Sequence, residues 1–483
     1  MKKIIFNILI ICCFSLSVIQ THAVDNLPTC FQHGVGDVDC DEKISLRDFE
    51  RLRQAEYCDQ STEWTDLNFD GKTNDNDINI WKLSYSQSES NRRNKVLLLI
   101  DNNDALQLTM QLSEMQIDVS RVLKKTIEIV PLDNAPMYSP ERIRQILVSK
   151  CNLDKNGCQD IEGAIFVGDI PYALYDMSYD NDNTAPFQFY YEDLDSTYLI
   201  KPNGHYNGYS IQGLHSGPEI YVSWIKPLSI ANTKNGQPSL TNIPYITQLK
   251  YYFDKHHRYF SDQISTSPFM ISMIHCPSAL EMVQPMIPIY GKDNVLALSP
   301  SDQCDQLESY YPALFSNFEK LPELAYIHTH GNRTDIWSKS KDITGADILQ
   351  RTGLPLLTFS WGCQNGNFLE YESTSLGLSI INGKDLGLTF IGKLDNTDIS
   401  EVQDALWFTN SQTDFFILFS QGQTAGEAMF NMMNSYTNRF IQNYSTHPET
   451  VKVVNLYKIS GPLQRIILGS PFVFSKTARA RSF

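Results

Sequence analysis

Two things are scarce in this sequence of 483 residues, and each scarcity removes a class of function. The first is positive charge. Lys and Arg number 39 against 55 Asp and Glu, a net charge of −16. Nucleic-acid binding needs clustered Lys and Arg to meet the phosphates, so no nucleic-acid partner is expected. The second is long apolar runs. After the first 23 residues no stretch of about 18 apolar residues occurs, so no membrane span is expected. What is present is ordinary for a globular chain: 42% hydrophobic and 19% charged residues, in a length that calls for two or three units.

The opening, MKKIIFNILIICCFSLSVIQTHA, has a basic start at Lys2 and Lys3, an apolar centre and a small-residue end at Ala23. That pattern is a secretory signal peptide over 1–23, and it predicts an exported, extracellular protein. Eight cysteines follow it: Cys30, Cys40, Cys58, Cys151, Cys158, Cys276, Cys304 and Cys363. Export permits disulfides, and Cys151 with Cys158, or Cys276 with Cys304, are close enough to pair.

Next come two twelve-residue segments of one layout, DVDCDEKISLRD at 37–48 and DLNFDGKTNDND at 66–77. Positions one, three and five carry Asp37, Asp39, Asp41 in the first and Asp66, Asn68, Asp70 in the second. Lys43 and Lys72 offer backbone carbonyls at position seven. Ser45 and Asn74 stand at nine, Asp48 and Asp77 at twelve. A hard cation takes six to eight oxygens on such a tight loop, so two Ca2+ sites are expected. Gly71 supplies the turn in the second loop, whereas Glu42 replaces it in the first. The duplicated loop and helix resemble a dockerin module, which implies a cohesin-type scaffold partner. The module is read over 24–85, with a polar linker at 86–95 that contains Arg92 and Arg93.

From Lys95 onward short apolar runs alternate with amphipathic segments. KVLLLI, TIEIVPL and IEGAIFVGDIP read as strands, with helices over ALQLTMQLSEMQIDVSRVLK and SPERIRQILVSKC, the second capped by Ser139 and Pro140. This is the pattern of a parallel sheet with helices on its faces. Residues 186–245 are aromatic and irregular and yield no assignment. The alternation then resumes through FMISMIH, VLALSP, LAYIHTH, LLTFSWGC and LGLTFIGK, a second parallel sheet fused or adjacent to the first.

Two of these runs end in reactive side chains, His330 before Gly331 and Cys363 after Gly362. Groups at the C-terminal ends of parallel strands are where such sheets place their chemistry. A thiolate at Cys363 is a nucleophile, and an imidazole at His330 exchanges protons with it and with the leaving group. The amides of Gly331 and Cys363 are candidate oxyanion donors. Two other readings stay open: a satisfied strand-end histidine with an inert buried thiol, and a zinc site using His328 with His330.

The wording around both residues adds to this. Tyr326, His330, Gly331, Thr334 and Trp337, with Cys363, Asn365, Gly366 and Phe368, resemble the two catalytic segments of the gingipain family of cysteine peptidases, relatives of caspases. FVGDIPYALY, YYEDLDSTY, TAGEAM and LGSPF are weaker echoes. The resemblance implies an α/β fold, a caspase-like parallel-sheet sandwich with helices on the sheet faces, preceded by the small all-α dockerin-like calcium module. It implies a peptidase body divided at 96–245 and 246–476, with a protein or peptide substrate. Ser223 and Trp224 depart from the family pattern, as does Gly469-Ser470-Pro471. Trp361, two residues before the cysteine, is expected to narrow or cap the specificity pocket. The resemblance implies cleavage after one defined residue, often Arg or Lys, but no pocket carboxylate is identifiable. The specificity stays open, as does the alternative of a scaffold-borne, non-cleaving relative.

Overall fold

The computed structural model describes residues 93–481 except 155–156, 177–183, 211–216, 230–242, 275–282, 299–310, 338–341, 370–373, 395–404, 445–453 and 456–464, and before residue 93 it describes residues 38, 48, 51, 52, 55, 65, 67, 72, 73 and 77. The chain divides into two compact units, Met1–Arg93 and Asn94–Phe483.

In the second unit ten strands form one sheet: β1 (Lys95–Asp101), β2 (Thr126–Leu132), β3 (Gly163–Val167), β4 (Tyr221–Ile225), β5 (Ser267–Ile274), β6 (Val295–Leu298), β7 (Pro322–His328), β8 (Leu357–Ser360), β9 (Thr389–Lys393) and β10 (Arg465–Gly469). Their order is β6-β5-β7-β8-β9-β10-β4-β3-β1-β2. The strands of β1 to β4 run parallel to one another, as do those of β5 to β9. The C-terminal β10 joins the two sets, parallel to β4 and antiparallel to β9. Apolar runs such as Val96–Ile100 are buried throughout, as expected of strands covered on both faces. The two parallel sets are therefore fused into one mixed sheet, and the architecture is the α/β sandwich anticipated above.

Local chemistry explains where the elements differ from expectation. The helix anticipated from Ala105 to Lys124 is two helices, Asn102–Gln107 and Thr109–Leu123, broken at Leu108. At the break the Thr109 hydroxyl donates to the Ala105 and Leu106 carbonyls at 3.2 and 2.9 Å, competing with the regular ladder. The helix Pro140–Cys151 starts as anticipated, with Ser139 Oγ accepting from the Arg142 amide. Cys151 and Cys158 form a disulfide, while Cys276 and Cys304 lie outside the described residues.

The unassigned middle segment contributes β4 to the centre of the main sheet. Trp224 points into the core there, its ring edge-on to Phe166 at 4.7 Å. The same segment contributes to a smaller sheet made of Leu174–Asp176, Thr184–Pro186, Thr197–Ile200, Tyr206–Ser210 and Val454–Asn455. Tyrosines of the segment pack ring against ring, Tyr190 and Tyr206 tilted with 4.5 Å between centroids, and the Arg144 guanidinium lies 5.3 Å from the Tyr190 ring. An aromatic layer held this way lacks both the two-residue and the 3.6-residue period, which is why the sequence pattern gave no assignment.

Candidate active site

β7 and β8 are adjacent and parallel, with Leu324 opposite Leu357 and Ile327 opposite Ser360. His330 and Cys363 each follow the last of these paired residues by three positions. The two reactive residues therefore leave neighbouring strands, roughly 4.8 Å apart, at the same end and in register. His330 is exposed; Cys363 is half-buried and a free thiol.

Short-range bonding shapes each segment. After His330 the chain folds back on itself. Gly331 bridges Ile336, and the Trp337 amide returns to the His330 carbonyl at 3.0 Å. Within this turn Asn332 Oδ1 accepts from the amides of Thr334 and Asp335 at 2.7 and 3.0 Å, the side-chain-to-backbone turn that asparagine favours. After Ser360 the cysteine loop closes through Asn365 N to Gly362 O at 3.3 Å and Asn367 N to Gln364 O at 2.9 Å. Gly366 N donates to the Lys393 carbonyl of β9 at 2.8 Å.

One buried side chain ties the two segments together. Asn365 is fully buried. Its Nδ2 donates to the carbonyls of Asn332 and, at 3.1 Å, Asp335, while its Oδ1 accepts from Ser360 Oγ at 2.9 Å. A second tie joins the same segments: Arg333 Nε donates to Gln364 Oε1 at 3.1 Å. Two glycines make room for this latch. A Cβ on Gly362 would lie 1.9 Å from Asn365 Oδ1, and one on Gly331 would lie 2.7 Å from the Asp335 carbonyl. Sequence reasoning placed Asn365 only as a matched letter beside the cysteine; its partner lies more than thirty residues away, at Asn332.

Trp361 is buried, 3% exposed. Its ring lies 3.7 Å from the Arg465 guanidinium and 5.7 Å from Lys393 Nζ. His328 is half-buried, with Tyr326 Oη 3.2 Å from its Nδ1. Among the described residues no metal-ligating trio includes His328 or His330.

The trio found is Asp193, Asp195 and Glu219, whose carboxylate oxygens lie within 4.8 Å of one another. An all-oxygen set of this kind suits a hard cation. Its loop is steadied by Arg144, which donates to the Asp193 and Ser196 carbonyls at 3.1 and 2.9 Å. Burial, with repulsion from Asp195, pushes Asp193 up to about 7. Burial, with repulsion from Asp193 and Asp195, pushes Glu219 up to about 9. The folded chain thus keeps protons that the unfolded chain releases near 4. The resulting stabilisation is complete below the unfolded values and is lost as pH rises through about 7 to 9. In chelator, the melting temperature of the wild type is expected to fall more steeply between pH 5 and 9 than that of Glu219→Gln. Parallel pH profiles would show that Glu219 ionises without strain.

In the first unit three of the twelve expected calcium ligands are described. Asp48 and Asp77, at position twelve of the two loops, are both helical and fully buried. Asp48 Oδ1 accepts from the Val38 amide at 2.5 Å. Val38 and Leu67, at position two of each loop, are equally buried at 3%. Lys72 is exposed. Asp37, Asp39, Asp41, Lys43, Ser45, Asp66, Asn68, Asp70 and Asn74 lie outside the described residues.

No family model and no curated protein matches this chain. Among solved structures its fold is similar to the crystal structure of the Arg-specific cysteine proteinase gingipain R, with a TM-score of 0.51 and 13% identity over 80% of this chain and 79% of that one. A second solved structure, described as a protease, is similar at a TM-score of 0.50, with the same identity and coverage. At 13% identity the likeness establishes the shared fold.

Proposed function

We propose that this chain is a secreted cysteine endopeptidase working through a Cys363–His330 dyad, carried on a calcium-loaded dockerin-like module that attaches it to a cohesin-type scaffold. The observation that carries the enzymatic reading is the register. Two neighbouring parallel strands deliver a free thiol and an exposed imidazole to one sheet end, and Asn365 holds the two segments together.

In this mechanism the Cys363 thiolate attacks the scissile carbonyl carbon and forms the C–S bond, while the carbonyl electrons move to oxygen. The amides of Gly331 and Cys363 stabilise that oxyanion, each worth on the order of 3 kcal/mol. Collapse of the intermediate breaks the C–N bond, and His330 protonates the departing amine. His330 then takes a proton from water as it attacks the thioester, which returns Cys363 and releases the new carboxylate. The test is cleavage mapping: purified protein with calcium and mild reductant is incubated with a mixed peptide library, and every cut is read by mass spectrometry. Cuts by the wild type that disappear on thiol alkylation support the reading. A folded, alkylatable protein that makes no cuts would favour the non-cleaving relative.

The calcium reading is supported by the matched burial of Asp48 and Asp77, which a position-twelve carboxylate needs in order to close its loop over an ion. With two compact units in the chain, calorimetry is expected to show two transitions, and chelator should lower the one belonging to residues before 94. A chelator that moves neither transition would remove calcium from the account.

A further inference from the structure

The last described residue to reach the catalytic end of the sheet is a buried cation. Arg465 opens β10 and is 2% exposed, yet none of its three guanidinium nitrogens has a hydrogen-bond acceptor among the described residues. Its surroundings are aromatic. The guanidinium lies 3.7 Å from the centre of the Trp361 ring and 4.9 Å from that of Phe359. Ring faces attract a cation but accept no directed hydrogen bonds, so five N–H groups remain for an acceptor with two oxygens. Burial drags this guanidinium down to about 9, with Tyr326 acting the other way. An apolar side chain of the same volume would fill this place without the desolvation cost.

The location gives the unmet requirement a meaning. Arg465 pairs with Lys393, one step beyond the row formed by Ile327, Ser360, Gly392 and Ile466. His328, Trp361, Lys393 and Arg465 therefore make the next row, the last before the chain turns into the loops bearing His330 and Cys363. The Lys393 carbonyl itself anchors the cysteine loop at Gly366. Positive charge is thus concentrated under Trp361, two residues from the nucleophile.

We propose that Arg465 is the specificity-determining residue of the cleft: it receives the carboxylate of an aspartate or glutamate preceding the scissile bond, with Trp361 as the ring that moves aside to admit it. This rests on the peptidase reading above. A carboxylate matches the planar fork of the guanidinium in a two-point contact, and a dry site makes that contact selective. It also reverses the charge preference that the family resemblance implies.

The experiment uses matched peptides that differ only in Asp, Asn, Glu, Gln or Lys before the cut. The wild type is expected to favour Asp over Asn and Glu over Gln by on the order of 100-fold in kcat/KM. Arg465→Met is expected to melt no lower than the wild type and to lose that preference; Arg465→Lys should keep part of it. Equal rates on Asp and Asn, a preference for Lys, or an unchanged Asp preference in folded Arg465→Met would overturn the proposal. Should Arg465→Met fail to fold, the wild-type comparison and Arg465→Lys still decide it. Binding of Asp- and Asn-ended peptides to Cys363→Ala separates this inference from the catalytic one. If the wild type cuts nothing but the variant prefers the Asp peptide through Arg465, the peptidase reading fails and the acidic subsite stands. No cutting and no preference in binding overturns both.

Discussion

Replacing Cys363 with alanine is expected to abolish peptide cleavage, lowering kcat/KM on the best library peptide by on the order of 10⁴-fold or more. The thiol is half-buried and has no disulfide, so the substitution removes the proposed nucleophile without removing a structural bond. The melting temperature should barely change, because replacements away from a tightly packed core cost within about 0.5 kcal/mol. His330→Ala should cost on the order of 10² to 10⁴, the range of a lost acid–base group. The double variant should be no worse than Cys363→Ala alone, the result expected of two residues that act in one chemical unit. Activity retained by Cys363→Ala would move the chemistry to another site, and additive losses would argue that the two residues act separately.

Asn365→Ala carries the second large effect, and it acts through position rather than chemistry. The substitution strands the Asn332 carbonyl, takes the acceptor of the Ser360 hydroxyl proton and removes one of the two donors to the Asp335 carbonyl, which keeps the Asn332 amide at 2.9 Å. Each buried group left without a partner costs about 1–3 kcal/mol, so the loop pair loosens while the distant sheet keeps its packing. Reacting groups misplaced by about 1 Å lose on the order of 10² in rate. The expected result is a 100-fold fall in kcat with a smaller change in KM, while Cys363 remains alkylatable by a small reagent. Gly362→Ala should fall in the same direction, because its new methyl group would collide with Asn365 Oδ1. Full kcat in both variants would mean that the latch plays no part in aligning the dyad.

The parts of this protein that were legible in the sequence are those whose signal is local. β7 and β8 announce themselves as apolar runs, Pro322–His328 and Leu357–Ser360, each ending in polar turn residues. The Ser139 cap is likewise written within a dozen residues. The Leu108 break was missed because the apolar period continues straight through it, and only the Thr109 side-chain bonds interrupt the backbone. β4 was missed for another reason. A strand buried on both faces shows no alternation, and its neighbours β3 and β10 lie far away in sequence.

By itself, then, the sequence determined the alternating α/β build, the identity of the thiol and imidazole, and the acidic repeat before them, because each depends on residues close together in the chain. Tertiary structure decided the rest. It brought β10 from the far end of the chain between two parallel sets of strands, and so buried Arg465 beneath Trp361. It paired Asn365 with a turn more than thirty residues away. An arginine at a strand start reads as a solvated residue until a sheet closes over it, because burial is a property of the whole packing and not of any one segment.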